Sequence, residues 1–276
     1  ADDEGNIAWW AAGKLPVRPG HVNSKAMLEG GSGKDDILRY LPFEQNPQLR
    51  NPEAGFIATA NNKPTVRPLG PIENITGYWQ PDDRAKRIEQ LIAEQETWSL
   101  EALKAMQVDD VAIAAPAFIE TAAGLLQDGP VALTGMEQEA LDRMTAWDHA
   151  HDVESVGATI YTYFYNALLR RLVGDELGDQ LLPIYGTIGD AWNVLKYVID
   201  EPGSPFWDDR TTPDHEETRP EIVAAAFKAA VARLDEELGD DPEAWTWGTV
   251  HTMEFKHPFG YLGVLAPIFN VGPFPS

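Results

Sequence analysis

Residues 55–64, GFIATANNKP, hold the side chains best placed to do chemistry. An apolar run containing β-branched Ile57 and Thr59 leads into Asn61 and Asn62, and Pro64 then ends it. A buried strand closed by a turn explains the proline and one asparagine, because Asn tolerates left-handed backbone angles and Pro cannot extend a ladder. The turn does not explain why two amides stand together. At the mouth of a buried strand, such a pair offers neutral N–H donors to a ligand.

Other reactive types are less well placed. His149 and His151 lie two apart and cannot share a helix face, so they read as solvated side chains rather than metal ligands. His251 and His257 lack HExxH spacing and read as packed rings bonded to backbone. No G-x-S-x-G elbow is present, which leaves an α/β-hydrolase without its nucleophile. EGGSGKDD, at residues 29–36, puts Asp35 after Lys34 where a phosphate loop needs Ser or Thr, and reads as a surface loop. Asp208-Asp209 is a turn or a cation-binding pair, and Asn74-Ile75-Thr76 is a glycosylation sequon short enough to arise by chance.

Composition narrows the class. The 276 residues include 44 acidic and 21 basic side chains, for a net charge of −23. That field repels nucleic acid and anionic lipid, so neither is an expected partner. The acidic residues are dispersed rather than gathered in a tail, which suits either adaptation to high salt or an ordinary acidic bacterial protein. Hydrophobic content of 43% with nine tryptophans supports a sizeable core, and no apolar run reaches the roughly 20 residues of a membrane span. Cysteine is absent, which excludes disulfides and thiolate chemistry from this segment.

The elements that must position the asparagines fall into three stretches. Residues 1–80 are rich in Gly, Pro and Asn, with strands expected at 6–12 and 55–61 and a long connection between them that wraps a neighbouring surface. Residues 81–240 switch to helical periodicity, from PDDRAKRIEQLIAEQ through 109–126, 137–147, 155–173 and 220–238, with Gly124, Gly174 and Gly239 at expected helix ends. Residues 241–276 return to an aromatic, Gly/Pro-rich style. The expected class is α+β: a strand-rich part, a large helical insert and a return segment.

Several stretches resemble the C-terminal part of the large subunit of the penicillin acylase family. They are DDEGNIAWWAAGKLPVRPG, YLPFEQNPQLRNPEAGFIATANN, GYWQPDDRAKRIEQLI, LDRMTAWDHAHDVES, PFWDDRTT and DPEAWTWGTVHTMEFKHPFG, in order along the chain. The resemblance implies an N-terminal-nucleophile hydrolase, of αββα sandwich architecture, made as a zymogen. Self-cleavage frees a catalytic Ser whose α-amine acts as its base. It implies cleavage of the acyl amide of a β-lactam side chain or an N-acyl homoserine lactone, a role in antibiotic biosynthesis or degradation, and a periplasmic or secreted location. No organic cofactor is implied.

Residue 1 is Ala, so the nucleophile is expected upstream, and the chain is expected to be an internal fragment inactive alone. Its partners would be the small subunit and the N-terminal part of the large subunit of the same precursor. By the same resemblance Asn61 is the oxyanion-hole side chain, and Arg84, 23 residues later, is the arginine that orients polar groups around it. Glu73, through its carboxylate, and Asn23, through its carbonyl, fall where some members hold a structural calcium. The rival readings are a non-enzymatic helical binding module, which has no use for ANN followed by DR, and a catalytically dead acylase relative.

Overall fold

The structure is a computed structural model that describes residues 1–75, 77, 79–186 and 193–276. Thr76 of the sequon and Tyr78 of the GYWQPDDR stretch lie outside the described residues. The chain forms two compact units, Ala1–Thr97 and Trp98–Ser276.

In the first unit, the 6–12 segment forms the short strand β1 (Ala8–Trp10), paired antiparallel with β4 (Gln48–Arg50) in the register Ala8↔Arg50, Trp9↔Leu49 and Trp10↔Gln48. β2 (Pro16–Val17) pairs antiparallel with β3 (Arg39–Tyr40). The long connection therefore supplies the partner strands itself. Asn46 fastens the two ribbons, its Nδ2 donating to Ala11 O at 2.9 Å and Gly13 O at 3.0 Å, and Trp10 stacks on Phe43. The 29–36 loop closes on itself: Glu29 carboxylate oxygens accept from Gly31 N and Ser32 N, and Asp35 accepts from Glu29 N. Amides engaged in this way are not turned toward a phosphate.

The strand expected at 55–61 does not form. Residues 56–59 carry no regular secondary structure and range from half-buried to exposed; only Ala60 is buried. A strand is defined by its ladder, and among the described residues no other segment pairs with this one. The unit ends with α1 (Asp83–Ala93), where the PDDRAKRIEQ signal places it.

The second unit is helical: α2 (Leu100–Gln107), α3 (Ala115–Asp128), α4 (Gly135–Thr145), α5 (Val156–Tyr185), α6 (Asn193–Val198), α7 (Arg219–Leu238), α8 (Trp247–Val250) and α9 (Ala266–Phe269). Local chemistry sets the starts. Ser99 and Ser155 accept from Ala102 N and Ala158 N, and Thr134/Glu137 and Thr218/Glu221 form capping boxes. Gly239, at φ 95°, ends α7 as its spacing suggests. Gly124 and Gly174 instead lie inside α3 and α5, because a glycine in a packed helix is tolerated when its neighbours bury enough apolar surface. α5 breaks later, at Gly178, with φ 62° and ψ 178°.

α3, α4, α5 and α7 enclose the core. Phe164 of α5 meets Phe227 of α7 edge-on at 5.2 Å, and Leu141, Met144, Leu168, Leu172, Leu234, Trp207 and Trp245 are all fully buried around them. Gly157 lets α5 close on the preceding loop: a Cβ there would stand 2.4 Å from Trp147 Cβ. The 241–276 segment belongs to this unit and ends in an antiparallel hairpin of β5 (Thr252–Phe255) with β6 (Val271–Pro275).

Candidate functional site

Asn61 stands where residues 56–60 turn, with its backbone in the left-handed region at φ 61°. Among side chains with a Cβ, Asn is one of the few that adopts this region readily, so the backbone itself calls for the residue. The turn is held from two directions. Asn62 Oδ1 accepts from Ala60 N at 3.1 Å, and the Asn61 carbonyl accepts from Gln80 N at 3.0 Å.

Arg84, in the first turn of α1, reaches back across 23 residues to this turn. Its Nη2 donates to Ala60 O and to Asn61 Oδ1, each at 2.9 Å. A guanidinium has only donors, so it can face only the oxygen end of the amide. That assigns the two ends of the Asn61 side chain. The NH₂ is turned away from Arg84 and stays presented as a neutral donor, polarised by the cation on the carbonyl behind it. Such a group suits an oxygen on which negative charge develops.

The other predicted positions do not join this pair. Glu73 is exposed, and its neighbour Asn74 takes a hydrogen bond from Lys63 Nζ. Asn23 is exposed in a turn where its carbonyl already accepts from Ala26 N at 3.0 Å and its Oδ1 from Lys25 N at 3.0 Å. Calcium takes roughly six to eight oxygens, and among the described residues no three His, Cys, Asp or Glu side chains gather to hold a metal.

The histidines are bound into aromatic packing. His151 lies edge-on to Trp147 at 5.0 Å and to Trp247 at 4.9 Å, with Nδ1 3.2 Å from Asp110 O. Burial there pushes its pKa down. His251 stacks on Trp247 at 4.7 Å with Nδ1 2.6 Å from Ser276 O. Asp209 Oδ1 accepts from Thr211 N and Thr211 Oγ1, and Asp208 Oδ1 accepts from Glu217 N, so the acidic pair builds a turn.

The sequence pattern gives Asn62 to the turn, as the bond to Ala60 N shows, but it does not single out Gln80. Gln80 does precede Pro81, which drives a residue toward extended backbone, but a hydrogen bond spanning 19 positions leaves no local mark.

The profile of the penicillin amidase family matches residues 1–276. The chain belongs to that family. It is 27% identical to the acyl-homoserine lactone acylase QuiP of Pseudomonas aeruginosa, over 99% of this chain and 35% of that protein. It is 30% identical to the penicillin acylase 2 proenzyme of Pseudomonas sp. strain SE83, over 93% of this chain and 31% of that one. The chain thus spans about a third of the length of the curated relatives it matches. A thermostable penicillin G acylase from Alcaligenes faecalis shares the fold, with a TM-score of 0.66 and 19% identity over 89% of this chain and 47% of that one. The expected α+β class is the observed one, and the family is that of hydrolytic acylases.

Proposed function

We propose that this chain contributes the oxyanion-stabilising element of an N-terminal-nucleophile amidohydrolase that cleaves the acyl amide of an N-acyl homoserine lactone or a β-lactam side chain. The observation that carries the reading is the Arg84 contact on Asn61 Oδ1, which leaves the amide NH₂ as a fixed donor. In amide cleavage the carbonyl oxygen gains a full charge in the tetrahedral intermediate. A donor already held where that charge forms stabilises it without reorganising. Asn is suited to this because its amide is neutral and has no proton to lose at working pH.

The nucleophile, in this reading, is a Ser supplied by another segment of the same precursor, freed by self-cleavage and deprotonated by its own α-amine. The relatives named for acyl-homoserine lactone and penicillin substrates support the substrate class. A periplasmic or secreted location, processing from a zymogen and a function in high salt belong to the same proposal. A structural calcium held partly by Glu73 would need most of its oxygens from segments outside this chain, and no step runs through it.

The test is Asn61→Ala in the full-length, self-processed enzyme. We expect kcat to fall by about 10²–10³-fold, or roughly 2.7–4 kcal/mol, with a smaller change in KM. A folded, processed Asn61→Ala enzyme with near-normal kcat overturns the assignment.

A further inference from the structure

The hairpin of β5 and β6 has two unlike edges. Ser276 N donates to His251 O at 3.1 Å, which fixes the ladder, and in an antiparallel pair every second residue from there bonds inward. Met253 and Phe274 are the next such pair. Met253 O accordingly faces β6, where a Cβ on Gly272 would stand 2.7 Å from it. The backbone groups of Thr252 and Glu254 therefore point to the outer edge of β5. On β6 the outward positions on either side of Phe274 are held by Pro273 and Pro275.

Proline has no N–H, so the β6 edge is closed to a further strand. The β5 edge is open. Among the described residues β6 is the one strand paired with β5. No bare charge guards that edge either, since the Glu254 carboxylate is taken by Asn270 Nδ2 at 3.1 Å and Lys256 Nζ at 3.3 Å.

The two faces differ as well. Met253 lies opposite Phe274 and Phe255 opposite Val271, so four apolar side chains share one face. They are 48%, 47%, 60% and 56% exposed in that order. Thr252 and Glu254 take the other face. A two-stranded ribbon is marginal in water by itself, and this one leaves its apolar side bare.

We propose that the outer edge of β5 takes an added strand from the part of the same precursor outside residues 1–276, and that this part covers the apolar face of the hairpin. Main-chain bonds to Thr252 and Glu254 set the register, and alternate apolar side chains of the incoming strand extend the face of Met253 and Phe255. There is chain enough in the relatives to do this. The match takes 35% and 31% of the two Pseudomonas acylases and 47% of the Alcaligenes chain. A second copy is the poorer occupant, because each copy carries a net charge of −23 and the two repel.

The inference rests on the chain being one part of a longer precursor, as the proposed function does, and not on Asn61. The expected kcat loss in Asn61→Ala, beside a Phe255 position that cross-links to nothing, keeps that function and rejects this surface.

The test uses the full-length protein with a photoreactive benzoylphenylalanine in place of Phe255. Cross-linked peptides are identified by mass spectrometry after irradiation. We expect a cross-link to a precursor peptide outside residues 1–276. Cross-links only within residues 1–276, a covalent dimer of two copies, or no cross-link overturns the proposal. Should that variant fail to fold, hydrogen exchange in the unaltered full-length protein decides. The amides of Thr252 and Glu254 should exchange at least about 100-fold more slowly than open amides, and exchange at the open rate refutes the pairing.

Discussion

Among the described residues between Ala1 and Thr97 the buried apolar side chains are Val17, Leu41, Pro47, Ala60 and Ala85, and the segment is fastened by polar bonds from Asn46, Asn62 and Arg84. Between Trp98 and Ser276 the core is made of rings and branched chains, with Phe164, Phe227, Trp207 and Trp245 wholly enclosed. The first region thus relies on directional contacts and the second on removing apolar area from water. The Asn61 turn belongs to the first kind. A donor that must point at one place is held by hydrogen bonds of fixed geometry, whereas apolar packing fixes volume more than direction.

The comparison predicts where each region breaks. Phe227→Ala should have the largest effect on folding, about 3–5 kcal/mol, through lost burial and the cavity left against Phe164. Denaturant unfolding followed by tryptophan fluorescence reads it, since Trp207 and Trp245 are in the same core. A loss under about 1 kcal/mol would show that the helical core is looser than the structure makes it.

Arg84→Ala removes two charge-assisted bonds and frees the Asn61 amide to rotate, so activity of the full-length enzyme should drop by about 10–100-fold, in line with roughly 1.5–3 kcal/mol for bonds to a charged group. Thermal stability should change much less, because Arg84 is largely exposed. If stability falls as far as activity, Arg84 is a structural clamp and not a positioning residue. Asn62→Ala loses the bond to Ala60 N, worth about 0.5–1.5 kcal/mol, and should cost under about tenfold in kcat. A larger loss than that of Asn61→Ala would transfer the donor role to Asn62.

The smallest expected effect is that of salt. With a net charge of −23, self-repulsion weakens in salt as the Debye length shrinks from about 30 Å at 0.01 M to about 3 Å at 1 M. The melting temperature should rise between those conditions, and a melt that does not move removes the high-salt reading.

The starts of α2, α4, α5 and α7 were legible from the chain itself, whereas the helix expected from 109 begins only at Ala115. The Thr134-x-x-Glu137 and Thr218-x-x-Glu221 boxes and the Ser99 and Ser155 caps involve residues three apart, so their geometry is written in neighbouring letters. The suitability of Asn61 for a turn was legible for the same reason: Asn adopts positive φ, and the structure places it at 61°. Its pairing with Arg84 could be approached only through family resemblance, because a contact across 23 residues leaves no spacing rule.

Tertiary structure decided the rest. The expected strand at 55–61 had the composition of a strand and lacks one, since a ladder needs a partner that composition cannot supply. Gly124 and Gly174 look like stops and are helical, because packing against α4, α5 and α7 outweighs about 1 kcal/mol of glycine entropy. Nothing in the sequence marks Asp175 and Glu176, yet the fold shuts Asp175 Oδ1 and Glu176 Oε2 off from solvent. Sequence specified what depends on residues a few positions apart; the fold alone determined which distant groups meet, and with them which charges are desolvated.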